Sequence, residues 1–235
     1  MTSITANRLT ADEHSYFLAA AAVVAAVVIG GFAFEYDQLA HPAQFSALVQ
    51  AHGLVMFGWI GLFLTQVVLA ARRRLAWHRQ MGRVGAVLAL LVVVLGVPTS
   101  IIACRLGGDH LPPGATPPGF LADALSDLAQ FALLAGSGLA LRRHPDLHKR
   151  LMLLANLPPL NAAIVRLVNY LHLGIGASTF RDALLLAFIV VDIGRTRRLH
   201  PAFLIGGGGL VLTDFAASAL AGTAAWVHVV RALTA

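Results

Sequence analysis

Cysteine is almost absent: Cys104 is the only one in 235 residues. That excludes an intrachain disulfide and a thiolate cluster for iron–sulfur or structural zinc, so a metal here has to use imidazole, carboxylate or an organic macrocycle. Lysine is just as scarce. Lys149, the single one, falls in a basic connection between apolar runs, which rules out a retinal Schiff base inside a late helix. Charged residues are only 12% of the chain against 58% hydrophobic ones, with mean hydropathy +0.77, a composition far outside that of water-soluble domains. Also missing are a phosphate loop, a dinucleotide fingerprint, a serine elbow and a nucleophile–base triad. The first apolar run ends in GGFAFEYD without a small-x-small cleavage site and reads as a retained helix rather than a signal peptide.

What the chain does have is long apolar runs. Seven are expected to form transmembrane helices, at Ser15–Phe34, Ala47–Ala71, Val84–Cys104, Phe120–Leu141, Leu151–His172, Thr179–Ile193 and Ala202–Val230, in an all-α polytopic bundle forming one transmembrane domain over residues 1–235. The basic residues alternate with them. Arg72, Arg73, Arg74, Arg79 and Arg83 follow the second run, Arg142, Arg143, Lys149 and Arg150 the fourth, and Arg195, Arg197 and Arg198 the sixth; with Arg8 these are 13 of the 17 basic residues. The positive-inside rule then places the N-terminus and these connections in the cytoplasm and the C-terminus outside, in a bacterial inner membrane. The pI of 10.7 is thereby explained by topology and by contact with membrane lipids, and nucleic acid is not expected as a partner.

Folding the polar residues onto this topology collects His52, Asp123, Asp127, Arg166, Asn169, His172, Asp182 and His228 in the outer third. Asp123 and Asp127, at i, i+4, share a helix face. Arg166 is expected to pair with one of them, because an unpaired charge at that depth is costly. His172 and His228 lie near helix ends, where contact with headgroups explains them as well as ligation does. Asp214 stands alone in the last run behind Gly206–Gly209, which permits close helix approach or a flexible break. Asn156, Pro158, Pro159 and Asn161 are expected to kink the fifth helix, with the amides satisfying carbonyls the prolines free.

Two basic connections repeat one pattern. RRRLAWHRQMGR and RRHPDLHKRLM each run from an arginine cluster through a histidine, His78 or His148, into a helix, as a duplicated helical hairpin would. Flanked by Arg and Lys, these imidazoles suit an anion or a quinone head group. The A-H-G at His52, the W-H-R-Q-M-G-R after the second helix and the H-P-D-L-H-K-R-L-M before the fifth together resemble small bacterial integral-membrane proteins whose domain has no assigned function. The resemblance covers about Val49–Leu167. It implies that His52, His78, Gly82, Arg83, His148 and Arg150 matter, and implies no activity; Leu151 stands where that pattern carries an aromatic residue.

Three functions are compatible with these features. The first is a membrane redox protein holding haem b through His52 with His172 or His228, or a transition metal (copper, iron or zinc) through His52, Asp123, Asp127 and His228. Arg166, Asn169, Asp214, His78, Arg83, His148 and Arg150 then serve as structural or relay residues, with a quinone or other redox partner. The second is a proton- or ion-coupled transporter using Asp123, Asp127, Arg166 and Asp214. The third is a noncatalytic subunit of a larger membrane complex or a homodimer, its polar groups only locking helices together.

Overall fold

The computed structural model describes residues 11–33 and 45–235, apart from the side chains of Ala11, Asp12 and Asp109. Arg8 and the connection at 34–44 lie outside them. The described residues are helical throughout, without a strand. The helices are α1 (Ala11–Ala33), α2 (Ala47–Ala71), α3 (Leu75–Leu106), α4 (Pro117–Ala140), α5 (Pro145–Leu154), α6 (Leu157–Tyr170), α7 (Ala177–Thr196), α8 (Gly208–Ala221) and α9 (Ala224–Thr234). A 3₁₀ turn, Gly108–His110, follows α3, and a π-helical turn, Phe203–Gly207, leads into α8.

Among the described residues five stretches are long and apolar enough to cross a membrane: Glu13–Ala33, Ala47–Ala71, Leu75–Leu106, Pro145–Tyr170 and Phe203–Ala221. This is the build of a membrane protein, and its surface agrees. Leu54, Ile205 and Phe215 are 76, 75 and 71% exposed, as side chains facing acyl chains would be. The polar side chains Gln130, Arg150, Asn156, Arg181, Asp192 and His200 are buried instead. Of the seven expected runs, those matching α4 and α7 fall outside the set of five. They carry Asp123, Asp127, Arg181, Asp182 and Asp192.

Several boundaries differ from the sequence expectation. RLAWHRQMGR is helical, so α3 begins at Leu75 and His78 sits in its first turn. His148 likewise lies within α5, which starts at Pro145. The expected kink in the fifth run is a full break between α5 and α6, at Ala155 and Asn156. There the Asn156 amide donates to the Met152 carbonyl (2.7 Å) and accepts the Trp59 indole N–H (3.1 Å). The last run is not one helix. It turns at Gly222, and Thr223 caps α9 by accepting the Trp226 N–H at 3.2 Å, so Asp214 and His228 belong to different helices.

Consecutive helices run back and forth, with α2 packed on α3, α3 on α4, α4 on α5 and α8, and α1 on α6. Glycine allows the tightest of these contacts. A Cβ on Gly31 would stand 2.3 Å from the Ala163 carbonyl oxygen, and one on Gly206 2.8 Å from Leu154. The centre of the bundle is α6, where Leu157, Leu160 and Ile164 are wholly buried. The ends of α2, α4 and α7 and the starts of α3 and α5 carry the basic residues, and the starts of α4 and α7 carry Asp123, Asp127, Arg181 and Asp182.

Candidate functional site

At the basic end, the start of α1, the ends of α2 and α4 and the starts of α3 and α5 surround a cavity of about 800 Å³. Phe17, Trp59, Leu62, Phe63, Val67 and Met152 line its apolar part, and His78, Arg79, Arg83, Arg142, Arg143, His148 and Lys149 its polar part. The two hairpins thus bring their equivalent histidines together: the rings of His78 and His148 lie 6.2 Å apart, centre to centre, with planes at 88°. The Nδ1 of His78 is 3.3 Å from the Gln66 carbonyl oxygen, and that of His148 is 2.8 Å from the Gly138 carbonyl oxygen. A carbonyl only accepts, so each Nδ1 carries the proton, and in the neutral ring Nε2 is left with a free lone pair. Gln66 fixes the first ring further by donating from Nε2 to the His78 carbonyl at 3.0 Å.

The charges around this cavity are unequally matched. Lys149 pairs with Glu13 and with Asp146, and Arg150 with Asp192 through two hydrogen bonds of 2.7 and 3.1 Å, both partners almost fully buried. Among the described residues no carboxylate pairs with Arg79, Arg83, Arg142 or Arg143. The cavity therefore combines an apolar interior, two oriented imidazoles and a rim of four guanidiniums that no carboxylate among the described residues matches. That set fits an apolar molecule bearing anionic groups.

A second polar centre lies toward the opposite end. Arg181, 1% exposed, contacts Asp127 at 3.5 Å, Asp182 at 3.3 Å and Asp214. Asn161 donates to both oxygens of Asp127 at 2.9 Å, and Gln130 donates to Asp214 at 2.9 Å and to Thr213 at 2.6 Å. The guanidinium on Asp127 is thus that of Arg181 and not the expected Arg166. The side chain of Arg166 lies over the ring of Phe32 and donates to the Ala162 carbonyl. Asn161 serves the same carboxylate rather than a carbonyl freed by proline.

The four-residue metal set expected in the outer third is not brought together among the described residues. His52 is half-buried, with Nδ1 lacking a hydrogen-bond partner among the described residues. His172 and His228 are exposed, as are Asp123 and Asn169, and His172 ends α6 in a left-handed conformation (φ 48°). Among the described residues no three His, Cys, Asp or Glu side chains stand close enough to hold a metal ion, which includes His52, Asp123, Asp127 and His228. A bare ion needs at least three protein ligands, whereas haem brings four nitrogens of its own and asks for one or two.

Sequence reasoning named His78, Arg83, His148 and Arg150 only as auxiliary residues and did not single out Asp192, Gln130 or Arg181. Asp192 had a readable signal, as a lone acid in the apolar F-I-V-V-D-I. No family model matches this chain, and no curated protein or solved structure does.

Proposed function

We propose that this chain is a membrane redox protein that binds haem b in the cavity at its basic end, with His78 and His148 as axial ligands in place of His52, His172 and His228. The observation that carries the reading is the histidine pair. His78 and His148 come from two different hairpins and lie side by side at the cavity, 6.2 Å between ring centres, so they would be the residues to hold a haem iron there. The carbonyl anchors of both Nδ1 atoms are the partners that orient axial histidines and raise their basicity. Arg79, Arg83, Arg142 and Arg143 would hold the propionates, and the apolar wall the ring. Haem would supply one-electron transfer, with a quinone or another redox protein as the exchange partner. We place the basic end in the cytoplasm of a bacterial inner membrane, with seven spans, on the charge distribution.

An absorption spectrum of the detergent-purified chain, before and after adding haemin, tests this. The expected result is a Soret band with the sharp reduced-state bands of a six-coordinate b-type centre, lost or altered in His78→Ala and in His148→Ala. A protein that gains no Soret band, or one whose band survives the double substitution, overturns the assignment.

A second reading, a proton- or ion-coupled transporter, is supported by the buried Arg181 and the carboxylates around it. It is compatible with the first, since the two sites use different residues.

A further inference from the structure

A second cavity at the basic end, of about 350 Å³, has its own lining: Glu13 at the start of α1, Asp146 and Arg150 on α5, Thr196 at the end of α7, and Arg198 and His200 in the connection that follows. All six side chains are polar, in a chain that is 58% hydrophobic. Three of the membrane-length stretches begin beside it, at Glu13, Pro145 and Phe203, which sets the pocket at the level where lipid head groups meet the bundle.

Its two walls differ in what is already engaged. Arg150 is spent on Asp192 and on the Asp146 carbonyl, and the Thr196 hydroxyl donates to the Asp192 carbonyl. Glu13 and Asp146 form an acceptor wall. Both bind the one ammonium of Lys149, and two carboxylates have lone pairs for further donors. The connection after α7 forms a donor wall. His200 is 8% exposed, and its Nδ1 accepts the Ala202 N–H at 3.2 Å, so the neutral ring carries its proton on Nε2. Among the described residues nothing accepts from that Nε2, which is offered to the pocket the ring lines, and no carboxylate pairs with Arg198.

We propose that this pocket binds a phosphoethanolamine group, with the phosphate beside Arg198 and His200 and the ammonium beside Glu13 and Asp146. A guanidinium fork and an imidazole N–H suit the several oxygens of a phosphate, and the three donors of an ammonium suit a pair of carboxylates. Counting Arg150 with Asp192, Lys149 leaves the acceptor wall one negative charge over while Arg198 adds one positive charge to the donor wall, so a zwitterion completes both without changing the net charge. The group is carried by a membrane phospholipid or by a soluble ester. The site uses none of the residues proposed to bind haem.

The experiment follows the thermal unfolding midpoint of the full chain in detergent against O-phosphoethanolamine, phosphocholine, inorganic phosphate and a short-chain phosphatidylethanolamine dispersed in the micelles. Phosphoethanolamine is expected to give a saturable rise of several degrees. Phosphocholine, whose ammonium has no N–H to donate, and inorganic phosphate should bind about tenfold more weakly, and Arg198→Gln, at an exposed position, should weaken phosphoethanolamine by about the same factor. Tighter binding of the lipid than of the free ester makes the bilayer the source, and the reverse makes it a soluble ester. No response to either, a response that Arg198→Gln retains in full, or one that inorganic phosphate equals overturns the proposal.

Discussion

The bidentate pair of Arg150 and Asp192 shows how much one residue can decide in this bundle. Both side chains are removed from solvent, at 2 and 1% exposed, and each satisfies the other. Removing one partner strands the other charge, so Asp192→Ala is expected to cost about 3–5 kcal/mol, whereas Arg150→Met with Asp192→Leu should recover most of that. Unfolding in a denaturing-detergent titration measures both. His200 gives a pH-dependent counterpart outside the spans. Its Nδ1 accepts the Ala202 N–H at 3.2 Å, and burial, with the nearby Arg150 guanidinium second, holds it below the ordinary 6.5. The neutral ring's contribution is complete above 6.5 and falls as the pH drops from there toward the lowered folded value, because the unfolded chain takes the proton first. His200→Asn keeps a capping acceptor and should flatten the slope of the unfolding midpoint over that window; an unchanged slope would put the titration elsewhere. Charges in apolar runs were the part of this chemistry open to sequence reading, and they located Asp127 and Asp214, while Arg150 stood in a basic connection and was marked only by the resemblance. Which guanidinium meets which carboxylate was closed to it, because Arg166 and Arg181 flank the same connection and only helix rotation assigns Asp127 to Arg181.

At the scale of elements, the break between α5 and α6 ties the cavity to the core. The Asn156 backbone N–H bonds the Leu153 carbonyl at the break, and its side chain takes the Met152 carbonyl that this leaves and holds the indole of Trp59, which lines the cavity. Asn156→Leu leaves a buried indole N–H and a carbonyl unpaired, at about 1–3 kcal/mol each. The same change should weaken haem retention, so the midpoint of thermal unfolding and the haem-to-protein ratio are expected to fall together. Stability lost with full haem retention would detach the break from the cavity. The hinge was legible because Asn and paired Pro in an apolar run have few other uses. The division of the last run into α8 and α9 was not, because a Gly-Thr pair inside a hydrophobic stretch reads as continuous helix until the Thr223 hydroxyl is seen capping the next one. The histidine pair was half legible. The repeated loops marked His78 and His148 as equivalent, but extending the loops as solvated segments hid that both lie in helices facing one cavity.

Across the whole molecule, charge and chemistry are divided between two ends: a guanidinium-rimmed cavity at one, a carboxylate-rich cluster around Arg181 toward the other. The apolar surface follows from composition alone, since a chain with 12% charged residues cannot cover itself with them, and the helical class from the length of the apolar runs. Orientation rests on the arginine bias, which assigns a side to each connection and so makes a definite prediction. Cys104 is buried, and replacing it with serine provides a background without thiols. Leu199, 44% exposed in the basic connection after α7, and Ser178, exposed at the start of α7, lie at opposite ends of that helix and carry no charge whose loss would bias insertion. In intact cells, a membrane-impermeant maleimide should label Ser178→Cys and leave Leu199→Cys unmodified until the membrane is opened. Labelling of Leu199→Cys from outside would invert the chain and place the cavity proposed for haem at the periplasmic face. Labelling of both before permeabilisation would mean that α7 does not span, leaving Arg181 and Asp192 on one side of the bilayer.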